Sequence, residues 1–205
     1  MKKKYKNSGF TLIELSIGLT VMVVIGVAIA GLQYIISKSQ VAVYNGSLKV
    51  EYANSNVSAL VREIRTSRNG DNGAYVIESA TNTSLTFYSD IDADGKTERV
   101  RYFMNGTSLM KGVIKPSGNP ITYPPANEQL RSVADSIQNG ATPVFSYYNK
   151  NWPTDAINNP MSSPVNLSAI RMVKIYLRVN TITNDSIHDY VMDSAAMIRT
   201  LKDNL

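Results

Sequence analysis

The residues with the clearest chemistry form an acidic run between positions 90 and 98, DIDADGKTE in one-letter code. If the run curls, carboxylates at alternate positions converge on one point, and Gly95 permits the turn that curling needs. The candidate ligands are Asp90, Asp92, Asp94, Glu98 and, through its carbonyl, Lys96. Four carboxylates in nine residues repel one another unless a cation neutralises them, so the sequence favours a Ca²⁺ site here.

The same run has a plain structural alternative. Asp-Gly pairs are common in hairpin turns for backbone reasons alone, so a polar turn also explains it. It is not an EF-hand, because position twelve counted from Asp90 is Arg101 and not glutamate. It resembles the DxDxDGxxD/E calcium loops that hairpins carry in integrin-type propellers and other extracellular proteins. A cation at such a loop would hold a hairpin rigid.

A second notable residue is Glu14, the single side chain charged at neutral pH in the apolar segment from Phe10 to Ile36. This segment exceeds the roughly 20 residues that a helix needs to cross a bilayer. Four lysines in residues 1–9 predict that the N-terminus stays in the cytoplasm and that the remainder lies outside. A carboxylate inside a membrane helix is costly unless it is paired. No cation occurs from Thr11 to Ser37, so we expect its partner in another molecule or in an amine freed by cleavage after Gly9.

The seven residues from Gly9 to Leu15, GFTLIEL, resemble the processing site of type IV prepilins and type II secretion pseudopilins. The resemblance implies that a prepilin peptidase cuts after Gly9 and methylates the new amine of Phe10. It also implies that Glu14 registers subunits by pairing with the N-terminus of a neighbour. A secretory signal cut after Ala30 and an uncleaved signal anchor are alternatives, but Glu14 interrupts the apolar core of the first and lacks a partner in the second.

Composition excludes several classes of protein. Residues 1–9 carry four of the positive charges, so a chain processed there has a net charge of about +1 instead of +5, and we infer no nucleic-acid binding. The absence of cysteine excludes disulfides, thiolate metal sites and thiol nucleophiles. A single histidine, His188, excludes multi-histidine metal sites. Because no nucleophile with its base and no phosphate-binding loop is recognisable, the sequence predicts a protein that is not an enzyme.

Apolar spacing predicts one helix from about Phe10 to Ser67, with an amphipathic second half. Its predicted buried face is Val57, Leu60, Val61 and Ile64, extended upstream by Val41, Tyr44 and Leu48. Strand patterns then occur at Ala74–Glu78, Ser84–Ser89, Arg99–Asn105, Ser108–Val113, Val144–Tyr148, Ile170–Asn180 and Asp189–Thr200. The spacing of Leu130, Val133 and Ile137 predicts a short helix over Glu128–Gln138.

These patterns predict an α+β chain, in which a long N-terminal helix packs on an antiparallel sheet. The predicted segments are a leader (1–9), a transmembrane and assembly helix (10–36), an amphipathic continuation (37–68) and a β-rich globular domain (69–205). By resemblance, the chain would be a PilW-type or J-type minor pilin or pseudopilin, with prepilin peptidase, other pilin subunits and the prokaryotic inner membrane as partners. A membrane-anchored, calcium-stabilised adhesion module on the outer face of the membrane is the alternative.

Overall fold

The computed structural model describes residues 9–182 and 187–201, so the leader lysines of residues 1–8 lie outside the described part. The chain divides into two compact units, Met1–Tyr44 and Asn45–Leu205. The fold class is α+β, as predicted: a long N-terminal helix is followed by antiparallel strands in two sheets. The division between the units falls within this helix.

Helix α1 spans Leu12–Arg65, which confirms the predicted helix to within two residues at either end. A reciprocal pair of hydrogen bonds caps its start. The Glu14 amide donates to Thr11 Oγ1 at 3.3 Å, and Glu14 Oε2 accepts from the Thr11 amide at 2.9 Å. At its other end, Arg62 and Arg65 place positive charge in the last turn, where the helix dipole favours it.

In the first unit, the apolar side chains of the helix are exposed. Every described residue of this unit, from 9 to 44, is exposed, including Ile13, Leu19 and Ile25. By length and composition this part of α1 could cross a membrane. A helix that is apolar on all sides is stable when lipid or other protein surrounds it, so the segment is a candidate anchor.

In the second unit, α1 buries one face. Ala53, Val57, Leu60 and Ile64 are each at most 3% exposed, and Val61 packs against the same core. The predicted upstream extension of this face is wrong, because Val41, Tyr44 and Leu48 are 60%, 64% and 45% exposed. The buried face of α1 begins instead at Gly46. A Cβ atom at Gly46 would lie only 3.0 Å from the Thr181 carbonyl oxygen, so glycine permits this close approach.

The first sheet has five antiparallel strands in the order β1-β2-β3-β4-β5. Its strands are β1 (Ile77–Ala80), β2 (Ser84–Ser89), β3 (Glu98–Asn105), β4 (Ser108–Ile114) and β5 (Gln129–Ala134). The predictions for β2, β3 and β4 are confirmed to within one residue. The predicted tight hairpin at Asn105-Gly106 is also confirmed, since Asn105 pairs with Ser108 and Gly106 has a φ of 60°.

Two predictions in this sheet differ from the structure. Strand β1 starts at Ile77, three residues later than predicted, because Ala74 is engaged in the turn after α1 and its carbonyl accepts from the Gly70 amide at 3.0 Å. The helix predicted over Glu128–Gln138 is wrong, since Gln129–Ala134 forms β5. By pairing with β4, this segment satisfies backbone N–H and C=O groups of β4 that would otherwise be unpaired. This gain outweighs the weak helix preference that the apolar spacing of a few residues indicates.

The second sheet has three antiparallel strands in the order β6-β7-β8. They are β6 (Phe145–Tyr148), β7 (Met172–Val179) and β8 (Tyr190–Met197). All three predicted strands are confirmed with shorter bounds. The alternation predicted for β7 is also confirmed, because Val173, Ile175, Leu177 and Val179 are at most 1% exposed.

A buried ion pair fixes α1 on the first sheet. Glu63 on α1 accepts from Lys111 Nζ on β4 at 2.5 Å and from the Tyr102 hydroxyl on β3 at 2.7 Å. The Lys111 side chain is 2% exposed and that of Glu63 13%. Burial lowers the pKa of Lys111, and the Glu63 carboxylate opposes that change. Each charge therefore depends on the other to remain in the core.

We predict that Glu63→Ala lowers the free energy of unfolding by about 3 kcal/mol, because it leaves the Lys111 ammonium without its counter-charge. Urea unfolding of the detergent-solubilised chain, followed by near-UV circular dichroism, measures the loss. Glu51→Ala is the matched control, since Glu51 is exposed on the same helix, and we expect a change within about 0.5 kcal/mol. Equal losses in the two variants would contradict a specific role for the pair.

Candidate metal centre and processing segment

The acidic run connects β2 to β3. Its ends are held by the antiparallel pair Ser89 and Glu98, so the intervening residues must turn back within a short distance. Gly95 has a φ of 88°, a conformation that glycine adopts without strain. The Gly95 amide donates to Asp90 Oδ2 at 3.1 Å, and the Lys96 amide donates to Asp94 Oδ1 at 2.8 Å. These hydrogen bonds curl the run, as the sequence pattern requires for a shared ligand point.

Three of the predicted ligands lie together. Asp90, Asp92 and Glu98 each place one carboxylate oxygen so that the three oxygens are within 4.8 Å of one another. Asp94 lies outside this group and accepts from the Lys96 amide instead. The site that the geometry favours is thus a three-carboxylate cluster, with Asp94 and Lys96 shaping the loop beside it.

Two carboxylate oxygens of the cluster are buried without a hydrogen-bond partner among the described residues, namely Glu98 Oε1 and Asp90 Oδ1. Their sister oxygens are occupied: Glu98 Oε2 accepts from the Ile91 amide at 3.1 Å, and Asp90 Oδ2 accepts from Gly95. The Glu98 residue is 0% exposed. A buried acceptor without a donor costs the full desolvation of that atom, and a cation would offset this cost.

The electrostatics of the cluster are unbalanced. Burial raises the pKa of Glu98, and the neighbouring charges of Asp92 and Asp94 raise it further, although the Ile91 amide opposes them. Asp92 behaves differently, because a hydrogen bond from Lys115 lowers its pKa. Lys115 Nζ lies 2.6 Å from Asp92 Oδ2, and its side chain is 62% exposed. One exposed lysine therefore neutralises part of the cluster, while Glu98 has no such partner among the described residues.

Residues from outside the loop hold it against the rest of the unit. Arg68, just beyond α1, donates from Nε to Thr97 Oγ1 and from Nη2 to the Gly95 carbonyl, both at 2.8 Å. The Thr97 amide donates to Asp71 Oδ2 at 2.9 Å, and the Tyr123 hydroxyl donates to the Thr97 carbonyl at 2.7 Å. Sequence analysis did not identify Arg68, Asp71 and Tyr123 as contacts of the loop. Each is about 26 or more residues away from its partner in the chain, so no local pattern indicates the contact.

The predicted processing residues lie at the start of α1. Gly9 and Phe10 are exposed and precede the first helical residue, so their peptide bond is outside the helix and accessible. Phe10 is 89% exposed. Glu14 lies in the first turn, where its Oε2 also accepts from the Thr11 hydroxyl at 2.9 Å. No cation occurs between Thr11 and Ser37 in the sequence, and in the structure Glu14 accepts hydrogen bonds from the neutral amide and hydroxyl of Thr11.

Comparison with models of protein families finds no family that matches this chain, and comparison with curated proteins likewise finds no match. The geometry of the two segments supports two kinds of chemistry. The cluster of Asp90, Asp92 and Glu98 presents hard oxygen ligands for a cation. The bond between Gly9 and Phe10 is exposed and lies outside the helix.

We predict that Arg68→Ala speeds amide hydrogen exchange over residues 91–98 by about 5–30-fold, because the loop loses hydrogen bonds worth about 1–2 kcal/mol. Hydrogen exchange with mass spectrometry on the detergent-solubilised chain measures this. Arg65→Ala is the matched control, since Arg65 is exposed in the last turn of α1. Unchanged protection in Arg68→Ala would refute its role as the anchor of the loop.

Proposed function

We propose that this chain is a minor pilin or pseudopilin, a structural subunit that is processed after Gly9 and assembled into a type IV pilus or a type II secretion-like filament. One observation carries the proposal. An exposed Gly9-Phe10 bond stands directly before an exposed apolar helix with Glu14 in its first turn. This combination gives a membrane peptidase an accessible bond at the head of a segment that lipid can hold.

The proposed mechanism uses the apolar part of α1 twice. Before assembly it stores the subunit in the inner membrane, with the globular unit on the outer side. During assembly, the same exposed side chains exchange lipid for the helices of neighbouring subunits. Gly18, Gly26 and Gly31 lie on this exposed stretch and support this step, because small residues allow helices to approach closely.

Glu14 would give the assembly its register. Its partners within the chain are the amide and hydroxyl of Thr11, which are neutral donors. In a medium of low dielectric constant, an ammonium group is a stronger partner for a carboxylate than neutral donors are. The methylated amine of Phe10 on a neighbouring subunit provides that charge. Its pairing with Glu14 would favour one axial position of each subunit over the others.

Within this class we propose a minor component of the PilW type or J type, acting as a structural subunit without enzymatic activity. The support is its size: eight strands in two sheets follow α1 in the part of the chain that the structure describes. The second candidate is a membrane-anchored, metal-stabilised adhesion module, which the carboxylate cluster of the β2–β3 loop favours. That candidate needs no cleavage after Gly9.

Co-expression with a prepilin peptidase should give a product that begins at Phe10 and carries one additional methyl group, as measured by intact-protein mass spectrometry. Gly9→Ala should remain uncut. This variant is a suitable control, because a Cβ atom at Gly9 would meet no described atom within 4 Å and so creates no clash. A wild-type product beginning at Met1 or Gly31 would refute the filament proposal and favour a simple anchor or a cleaved secretory signal.

Glu14→Gln should be processed normally and incorporated into filaments at least about tenfold less than wild type, because the amide lacks the charge that pairs with the Phe10 amine. Immunoblotting of sheared filaments and of membranes separates assembly from processing. Ser16→Ala is the matched control on the same exposed stretch, where the Ser16 hydroxyl donates to the Ile13 carbonyl. Wild-type incorporation of Glu14→Gln would show that Glu14 does not register subunits.

A further inference from the structure

The strongest unexplained feature of the globular unit is the pair of partnerless oxygens in the β2–β3 loop. Glu98 Oε1 and Asp90 Oδ1 are buried and accept no hydrogen bond from the described residues, although the rest of the loop is closely hydrogen-bonded. We infer that Asp90, Asp92 and Glu98 form a Ca²⁺ site in which the cation binds both oxygens and displaces the Lys115 ammonium from Asp92. This inference does not depend on the filament proposal.

The ligand chemistry favours Ca²⁺ over other cations. The three clustered groups are carboxylates, and the chain has no cysteine and one histidine, so soft metals find no suitable ligand set. Ca²⁺ accepts six to eight oxygens in irregular geometry, whereas Mg²⁺ requires a near-octahedral shell. A hairpin loop with fixed, unevenly placed carboxylates matches the first requirement better than the second.

Burial distinguishes this cluster from an ordinary acidic turn. An acidic turn keeps its carboxylates in water, where mutual repulsion is weak. Here Glu98 is 0% exposed and the Asp90 side chain is 18% exposed, so their charges are partly removed from water. Arg68 Nη2 lies 3.4 Å from Asp90 Oδ2, whereas Asp90 Oδ1 has no hydrogen-bond partner among the described residues. A divalent cation would compensate both residues at once.

Lys115 is the internal competitor of the cation. Its Nζ atom lies 2.6 Å from Asp92 Oδ2, and its 62% exposure lets the side chain turn outward when a cation takes its place. An exposed ion pair of this kind is weak, because water and salt screen it. Removing the lysine should therefore tighten Ca²⁺ binding by no more than about fivefold.

Ca²⁺ binding should stabilise the second unit as a whole. Asp90 is linked to Arg68 beyond the end of α1, and Thr97, next to Glu98, is linked to Asp71 and Tyr123. A ligand that binds the folded loop and not the unfolded chain raises the melting temperature as its concentration increases. Mg²⁺ at equal concentration should raise it less.

The test uses the full chain in detergent, stripped of metal with a chelator, with Ca²⁺ or Mg²⁺ added alone. Isothermal titration calorimetry measures affinity, and a thermal melt measures stabilisation. We expect one Ca²⁺ per chain and a higher melting temperature for wild type. Glu98→Gln should weaken binding at least tenfold, roughly, through loss of a charged ligand. Without Ca²⁺ this variant should melt no earlier than wild type, because the amide removes a desolvated charge.

Matched controls come from the other sheet, where Lys174 Nζ lies 2.9 Å from Asp193 Oδ2 in a similar exposed pair. Asp193→Asn and Lys174→Met should leave Ca²⁺ affinity unchanged, whereas Lys115→Met should tighten it. Absence of Ca²⁺ binding to wild type at millimolar concentration would overturn the site. The site would also be refuted if Glu98→Gln and Asp193→Asn weakened Ca²⁺ binding equally, because the binding would then depend on general surface charge. If Lys115→Met bound Ca²⁺ more weakly than wild type, the proposal that Lys115 competes with Ca²⁺ for Asp92 would be refuted.

Discussion

A carboxylate that leaves water needs a partner, and three glutamates of this chain meet that need in different ways. Glu63 has the Lys111 ammonium and the Tyr102 hydroxyl, and these contacts join α1 to β3 and β4. Glu14 has neutral donors from Thr11. Glu98 has the Ile91 amide at one oxygen and no partner at the other among the described residues. The degree of compensation thus separates Glu63, which pairs with a cation, from Glu14 and Glu98, which have only neutral donors among the described residues.

The two parts of the long helix have different surfaces. Up to residue 45 its side chains are exposed and mostly apolar, which suits lipid or other helices. From Gly46 onward one face is buried in the core of the second unit, while most of the exposed side chains, with the exception of Leu48 and Tyr52, are polar or charged. The change follows from composition: the first stretch has one carboxylate and many aliphatic residues, whereas the second has an amphipathic spacing of Ala53, Val57, Leu60 and Ile64.

The carboxylate cluster depends on contacts that join distant parts of the chain. Arg68 and Asp71 come from the segment after α1, Tyr123 comes from the connection between β4 and β5, and Lys115 directly follows β4. Together they hold the β2–β3 loop so that Glu98 is buried beside Asp90. Without them an acidic run of this kind would remain in water, where its carboxylates have no need of a cation.

The sequence alone determined the long helix, the α+β class, the position of most strands and the position of the acidic loop between two of them. These are local properties: helix and strand periodicity extends over a few residues, and the alternation of Val173, Ile175, Leu177 and Val179 is visible directly. Tertiary structure decided that Gln129–Ala134 pairs as a strand, that Val41 and Leu48 are exposed, and that Asp90, Asp92 and Glu98 lie together without Asp94. Each of these depends on which distant backbone or charge lies alongside, and a local pattern does not contain that information.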